Sequence, residues 1–198
     1  TSLNNIPMVI ARTGWSGELS YELYLQDRKK GDELFEIVHE AAKEFNGAVI
    51  APNIIRTIEG GLLSYQSDFG REHNPFTIGL ERLVDLDQDI DFIGKEALKK
   101  IKAEGISEKL VGVEIDGDPI HKAPENFWPV FDVNHKKIGR LSRCFFSPRL
   151  KKNIGLAIIN INFVEPGTPL ILESPKAHLN AQVHELPWFP AEKSTNLD

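Results

Sequence analysis

The sequence predicts an α+β part followed by a small antiparallel β-barrel. Three observations carry this: two short strand patterns open the chain, apolar residues then recur at helical spacing, and beyond residue 108 the pattern changes to period two or short apolar runs. The expected division is an α+β part over 1–105 and a barrel domain over 106–198.

In chain order, Met8 to Ala11 and Leu19 to Leu25 read as strands joined by the turn-rich Thr13-Gly14-Trp15-Ser16-Gly17. Asp32 to Phe45 places Leu34, Phe35, Val38, Ala41, Ala42 and Phe45 on one helical face, with Asn46-Gly47 as the stop. A short apolar run, Ala48 to Ala51, follows. From Asn53 a second helical pattern carries Ile54, Ile55, Ile58, Leu62 and Tyr65. Gly60-Gly61 inside it costs about 1 kcal/mol per glycine relative to alanine, which points to close packing there. Gln66 to Pro75 is polar and reads as a loop. Phe92 to Lys102 reads as a helix with Ile93, Ala97, Leu98 and Ile101 together, and Ala103 to Glu108 breaks the periodicity. Six short strands follow: Leu110–Ile115, Trp128–Val133, Ile138–Phe146, Ile154–Ile159, Pro169–Leu172 and Leu179–Val183. Gly, Pro, Asn and His turns separate them, the signature of a small barrel or sandwich.

Composition narrows the function classes. A net charge of -6 argues against an electrostatic grip on nucleic acid or an anionic membrane, so neither is an expected partner. Cys144 is the only cysteine, which rules out a disulfide within the chain and any multi-cysteine metal site. A single thiol suits a reducing cytoplasm, the expected compartment. No run of about 18 apolar residues occurs, and Thr1 to Asn5 lack signal-peptide character. The start without methionine suggests an expressed piece, a processed product or a gene fragment. The six histidines show no zincin spacing, so no metal site is expected. Cys144 sits in an apolar strand pattern and reads as a small buried residue.

One segment carries a candidate site. Along Glu18 to Leu25, strand alternation puts Ser20, Glu22 and Tyr24 on one face and Leu19, Tyr21, Leu23 and Leu25 on the other. The apolar set is the natural core face. Glu22 and Tyr24 then point together into a space bordered by Trp15. A carboxylate beside aromatic rings suits a flat, nitrogen-rich heterocycle: the ring stacks, and an N–C–NH2 edge donates two hydrogen bonds to the carboxylate. The other reading is a surface glutamate on an edge strand, with Trp15 and Tyr24 packed into the core.

Several motifs resemble the glycine-cleavage T-protein (aminomethyltransferase) family. Arg12 to Glu22, RTGWSGELSYE, is similar to the family's R-T-G-Y-T-G-E-x-G-[YF]-E. Asn53 to Tyr65, NIIRTIEGGLLSY, resembles its helix G-A-R-D-x-L-R-L-E-A-G-x-x-L-Y, and Asp91 to Leu98 resembles D-F-I-G-[RK]-E-A-L. Phe146-Ser147-Pro148 and Asn153 to Ala157 resemble F-S-P-x-L-x-x-N-I-A-L-A. The matches keep their order from residue 8 to about 187.

The resemblance implies the later portion of the T-protein folate-binding fold, with tetrahydrofolate as cofactor. Its implied activity is transfer of an aminomethyl or methyl unit from a small-molecule donor. Glu22 matches the glutamate that binds the pterin, Trp15 the aromatic of the same pocket, and Tyr24 joins them from the face argument. Asn53 stands where the family carries a folate-holding arginine, and Arg56, three positions on, could reach the same region. The C-terminal P-F-x-R is also altered, to Pro187-Trp188-Phe189-Pro190. The PN-I-I-x-x-IE-x-x-LLSY-x-x-DF and NPF-x-x-G portions look most like the dimethylsulfoniopropionate demethylase branch. The family's catalytic aspartate belongs to a half of the fold outside this sequence, so no catalytic residue is assigned here. Asp68 and Asp85 to Asp91 read as loop and cap residues. The expected partner is the protein's own N-terminal half or a second copy. The alternative is a truncated, inactive fragment serving as a binding or structural unit. Arg140, Arg143, Arg149, Lys151 and Lys152 form a basic run, read either as a solvated loop or as an anchor for folate's glutamate tail or an anionic substrate.

Overall fold

A computed structural model describes residues 1–189, so Pro190 and the last residues of the expected 106–198 domain lie outside it. The chain opens with an antiparallel sheet of β1 (Ser2–Leu3), β2 (Ile6–Ala11) and β3 (Glu22–Leu25), in which Ala11 pairs with Glu22 and Val9 with Tyr24. Helix α1 (Gly31–Lys43) lays Leu34 and Ile37 on Ile6, Met8 and Leu25. Helices α2 (Ile54–Glu59) and α3 (Lys95–Glu104) follow.

From residue 108 six strands close a barrel: β4 (Glu108–Ile115), β5 (Trp128–Phe131), β6 (Lys137–Ser147), β7 (Lys152–Asn160), β8 (Pro169–Glu173) and β9 (His178–His184). Their order is β4-β7-β6-β5-β8-β9, with β9 pairing back onto β4. Closure removes the free edges an open sheet would present. Alternating Val111, Val113 and Ile115 join Val130, Leu141, Ile159, Leu170 and Leu172 in the interior, a mostly aliphatic plug. Gly139 on β6 is required by this closure, because a methyl group there would sit 2.2 Å from the carbonyl oxygen of Ile158.

The two parts meet at a seam. Ile58 of α2 is fully buried against Leu110, Ile154, Leu156 and Ile158 on the outside of the barrel. Beside it, Arg143 of β6 reaches Asp68, Thr57 and the carbonyl of Leu62.

All six expected barrel strands are present, each within a few residues of its predicted bounds. Four expectations need correction. The second strand begins at Glu22, not Leu19, so Ser20 is not part of a shared strand face. The second helical pattern, expected to run to Tyr65, stops at Glu59. Gly61 there adopts φ +61°, and its N–H bonds to the Ile58 carbonyl, a left-handed exit that glycine permits. The expected apolar set is not one core face: Leu19 and Tyr21 precede β3 and are exposed, as is Leu23, and of the set only Leu25 packs on the Ile6, Met8 and Leu34 core. Phe35, Val38 and Ala41 of α1 and Phe45 just beyond its end are exposed too, so most of the expected apolar stripe is uncovered. Among the described residues, no helix is long and apolar enough to cross a membrane.

Candidate functional site

The site begins with β3 and the turn before it. Glu22 opens the strand, and Tyr24, two residues on, extends from the same face. The Tyr24 hydroxyl donates to Glu22 Oε2 at 3.1 Å, and Thr13 Oγ1 donates to the same oxygen. A carboxylate offers about four acceptor positions, so two such bonds orient the group and leave capacity for two further donors. Trp15 lies on the connecting turn and is 57% exposed; Tyr24 is 53% exposed. Sequence reasoning placed these groups around a hollow. Here Glu22 and Tyr24 form an open wall, because their face of the β2–β3 hairpin is uncovered at Val9 beside Tyr24; α1 covers only the Ile6, Met8 and Leu25 end of the opposite face, where Ile10 is exposed.

Asn53 and Arg56 belong to the start of α2, as its N-cap and in its first turn, and Arg56 meets the β2–β3 turn at Glu18. Asn53 caps the helix, its Oδ1 accepting from the N–H groups of Ile55 (2.9 Å) and Arg56 (3.4 Å). Its acceptor is therefore engaged in starting the helix. Arg56 stands between two carboxylates, with Nη1 3.1 Å from Glu18 Oε1 and 3.6 Å from Glu59 Oε2. Glu59 is buried. Ser147 donates to its Oε1 at 2.6 Å, and its Oε2 has no hydrogen bond. Arg149 completes the group: Nη1 lies 3.4 Å from Glu18 Oε1, and its guanidinium stacks 3.6 Å over the Phe189 ring. These residues line a hollow of about 70 Å³ and an adjoining trough of about 610 Å³.

The basic run does not act as one patch. Arg140 packs over Phe127 and reaches Glu72, Lys152 pairs with Glu114, and Arg143 is buried. Asp68, expected as a loop and cap residue, does accept from the Ser64 N–H at 2.7 Å, but it is also the buried partner of Arg143. Sequence reasoning missed the Asp68–Arg143 and Glu59–Ser147 pairs. Both are separated by more than 70 residues, and no local period signals them.

Burial pushes the Cys144 thiol up to about 12. Glu36, His39 and Glu40 bring three possible ligand atoms within 4.8 Å on α1, but Glu40 is already paired with Lys43.

An α+β unit with a strand-borne carboxylate and aromatic, set against a closed six-stranded antiparallel barrel, defines a class of two-part α+β and barrel proteins. Residues 1–88 match the family described as GCVT N-terminal domain, and residues 108–190 match the glycine cleavage T-protein C-terminal barrel domain. The chain belongs to the glycine-cleavage T-protein family. It is 34% identical over 194 residues to an aminomethyltransferase of Geobacillus sp. (strain WCH70), covering 97% of this chain and 52% of that protein. It is 28% identical over 189 residues to the dimethylsulfoniopropionate demethylase DmdA of Ruegeria pomeroyi, covering 94% and 50%. The fold matches the crystal structure of the glycine cleavage system aminomethyltransferase T from Bartonella henselae. The TM-score is 0.73 at 20% identity, over 92% of this chain and 50% of that one. The chain thus spans about half the length of the relatives it matches.

Proposed function

We propose that the whole protein is a tetrahydrofolate-dependent one-carbon transferase, moving an aminomethyl or methyl unit from a small donor to the folate. The observation that carries this reading is the pairing of Glu22 with Tyr24, a carboxylate oriented by two hydroxyl donors beside an aromatic ring. That donor set fits a pterin edge, whose two N–H groups would bond to the free acceptor positions of Glu22 while Tyr24 and Trp15 flank the ring. Tetrahydrofolate, when bound, supplies the nitrogen that takes up the one-carbon unit. The part played by this chain is to orient the ring and shield one of its sides.

An open wall binds a flat ring weakly, so the reading requires a second wall. Val9 beside Tyr24 is uncovered, as are Ile10 and Leu23 on the opposite face and Phe35 of α1, so the chain that supplies this wall would pack over both faces of the hairpin. We assign that place to the remaining half of the protein's own fold, since the family relatives are about twice the length matched here. The same exposure favours a second reading, in which the chain alone is an inactive structural unit.

The test is to supply the full-length protein with tetrahydrofolate and either an aminomethyl-lipoyl or a methylsulfonium donor, then determine the folate product by mass spectrometry. Methylene- or methyl-tetrahydrofolate supports transfer and separates the two donor classes. Unchanged tetrahydrofolate with both donors supports the inactive unit.

A further inference from the structure

We propose that Arg56 and Arg149 form a seat for a carboxylate, which Glu18 fills in this structure and an external carboxylate displaces. Glu18 Oε1 bridges the two guanidinium groups, 3.1 Å from Arg56 and 3.4 Å from Arg149. Both cations are held from behind. Arg149 sits 3.6 Å over the Phe189 ring centre, and Arg56 rests against the buried Glu59, whose Oε2 bonds to nothing else. What remains open is their shared front, which faces the hollow of about 70 Å³ and the trough beyond it. Two arginines with preset planes and a common front are suited to a planar oxyanion.

Charge balance supports an exchangeable occupant. With Glu18 in place, two arginines face two carboxylates and the cluster is neutral. When Glu18 leaves, Arg56, Arg149 and Glu59 carry a net single positive charge, and one incoming carboxylate restores neutrality. The cost of exchange is small. The Glu18, Arg56 and Arg149 side chains are each more than a third exposed, and ion pairs so open to solvent are weakly held. A tethered group competes at an effective concentration on the order of millimolar, so a free carboxylate in that range can replace it. Glu18 sits on the irregular turn between Ala11 and Glu22, outside both strands, and can swing away without breaking a strand ladder. Trp15 is on the same turn and moves with it. Arg56 can then close on Glu59 Oε2, which gives that buried oxygen the donor it lacks. The seat needs no pterin at Glu22 and stands on these side chains alone.

The test is a titration of the full-length protein with glutarate, whose end groups copy the glutamate side chain, followed by the indole N–H resonances in nitrogen-15 NMR. The Trp15 resonance shifts with half-saturation in the millimolar range, while Trp128 in the barrel stays in place. Glu18→Gln vacates the seat and binds glutarate about tenfold more tightly, by removal of the tethered competitor. Arg149→Gln abolishes the shift, with its melting midpoint unchanged. A Glu18→Gln variant that binds no more tightly than wild type overturns the proposal, and because it calls for a gain, misfolding cannot imitate the expected result. Equal glutarate binding by Arg149→Gln overturns it as well.

Discussion

Arg143 of the barrel and Asp68 of the preceding loop form a fork-to-fork ion pair closed off from water. Nε stands 2.7 Å from Oδ1 and Nη2 2.5 Å from Oδ2. Ser142 donates to the same carboxylate at 2.8 Å, and Arg143 Nη1 donates to Thr57 at 2.9 Å. The pair therefore ties the loop and α2 to β6, and fixes the seam above which the arginine seat is built.

Removing one partner leaves the other charge buried and unpaired. Asp68→Asn or Arg143→Met is expected to cost about 3–5 kcal/mol, whereas the double variant costs less than the sum because no orphan charge remains. Urea denaturation of the three variants measures this. Additive losses would show that the two residues do not act as a pair.

The barrel was legible in the sequence because each of its strands carries its own alternation or short apolar run, bounded by turn residues. Ile154 to Ile159, for example, could be placed without reference to any partner. The seam was not legible. Arg143 looked like one of five neighbouring cations, and only the fold brings Asp68, 75 residues away, to it. Glu22 and Tyr24 could be placed side by side from alternation alone, but whether Leu23 and Tyr21 are covered depends on chain packed from elsewhere, which a strand pattern does not encode.

The uncovered hairpin makes a prediction about context. Ile10 is 48% exposed, so Ile10→Asp should leave the melting midpoint of the 198-residue chain nearly unchanged. In the full-length protein, where the proposed second wall covers it, the same change should cost about 2–5 kcal/mol through burial of an unpaired charge. Equal effects in both contexts would remove the proposed covering.

Cys144 has no exposed surface, and its thiol is pushed from 9.0 to about 12 by burial. That change lowers the thiolate share roughly a thousandfold at pH values below both figures. Alkylation at pH 8 should accordingly be negligible in the native protein and rapid in denaturant, as followed by mass spectrometry.

Glu114 offers a pH signature. Burial pushes its carboxyl up, but hydrogen bonds from Lys152 and Gln182, with the charges of Lys152 and His184, hold it below 4.5 overall. A depressed folded-state value contributes stability that is present above 4.5 and is lost as pH falls through the folded value. Glu114→Gln should therefore lower the melting midpoint at neutral pH, with the gap to wild type closing below pH 4.5. A gap that does not depend on pH would show that the charge is not the source.

The most direct measurement is calorimetric titration of the full-length protein with tetrahydrofolate, wild type against Glu22→Gln, which keeps the side chain's shape and removes its charge. Charge-assisted hydrogen bonds of about 1.5–3 kcal/mol predict a dissociation constant roughly 10- to 150-fold weaker in the variant. Equal affinities would mean that Glu22 does not hold the pterin, and would contradict the account.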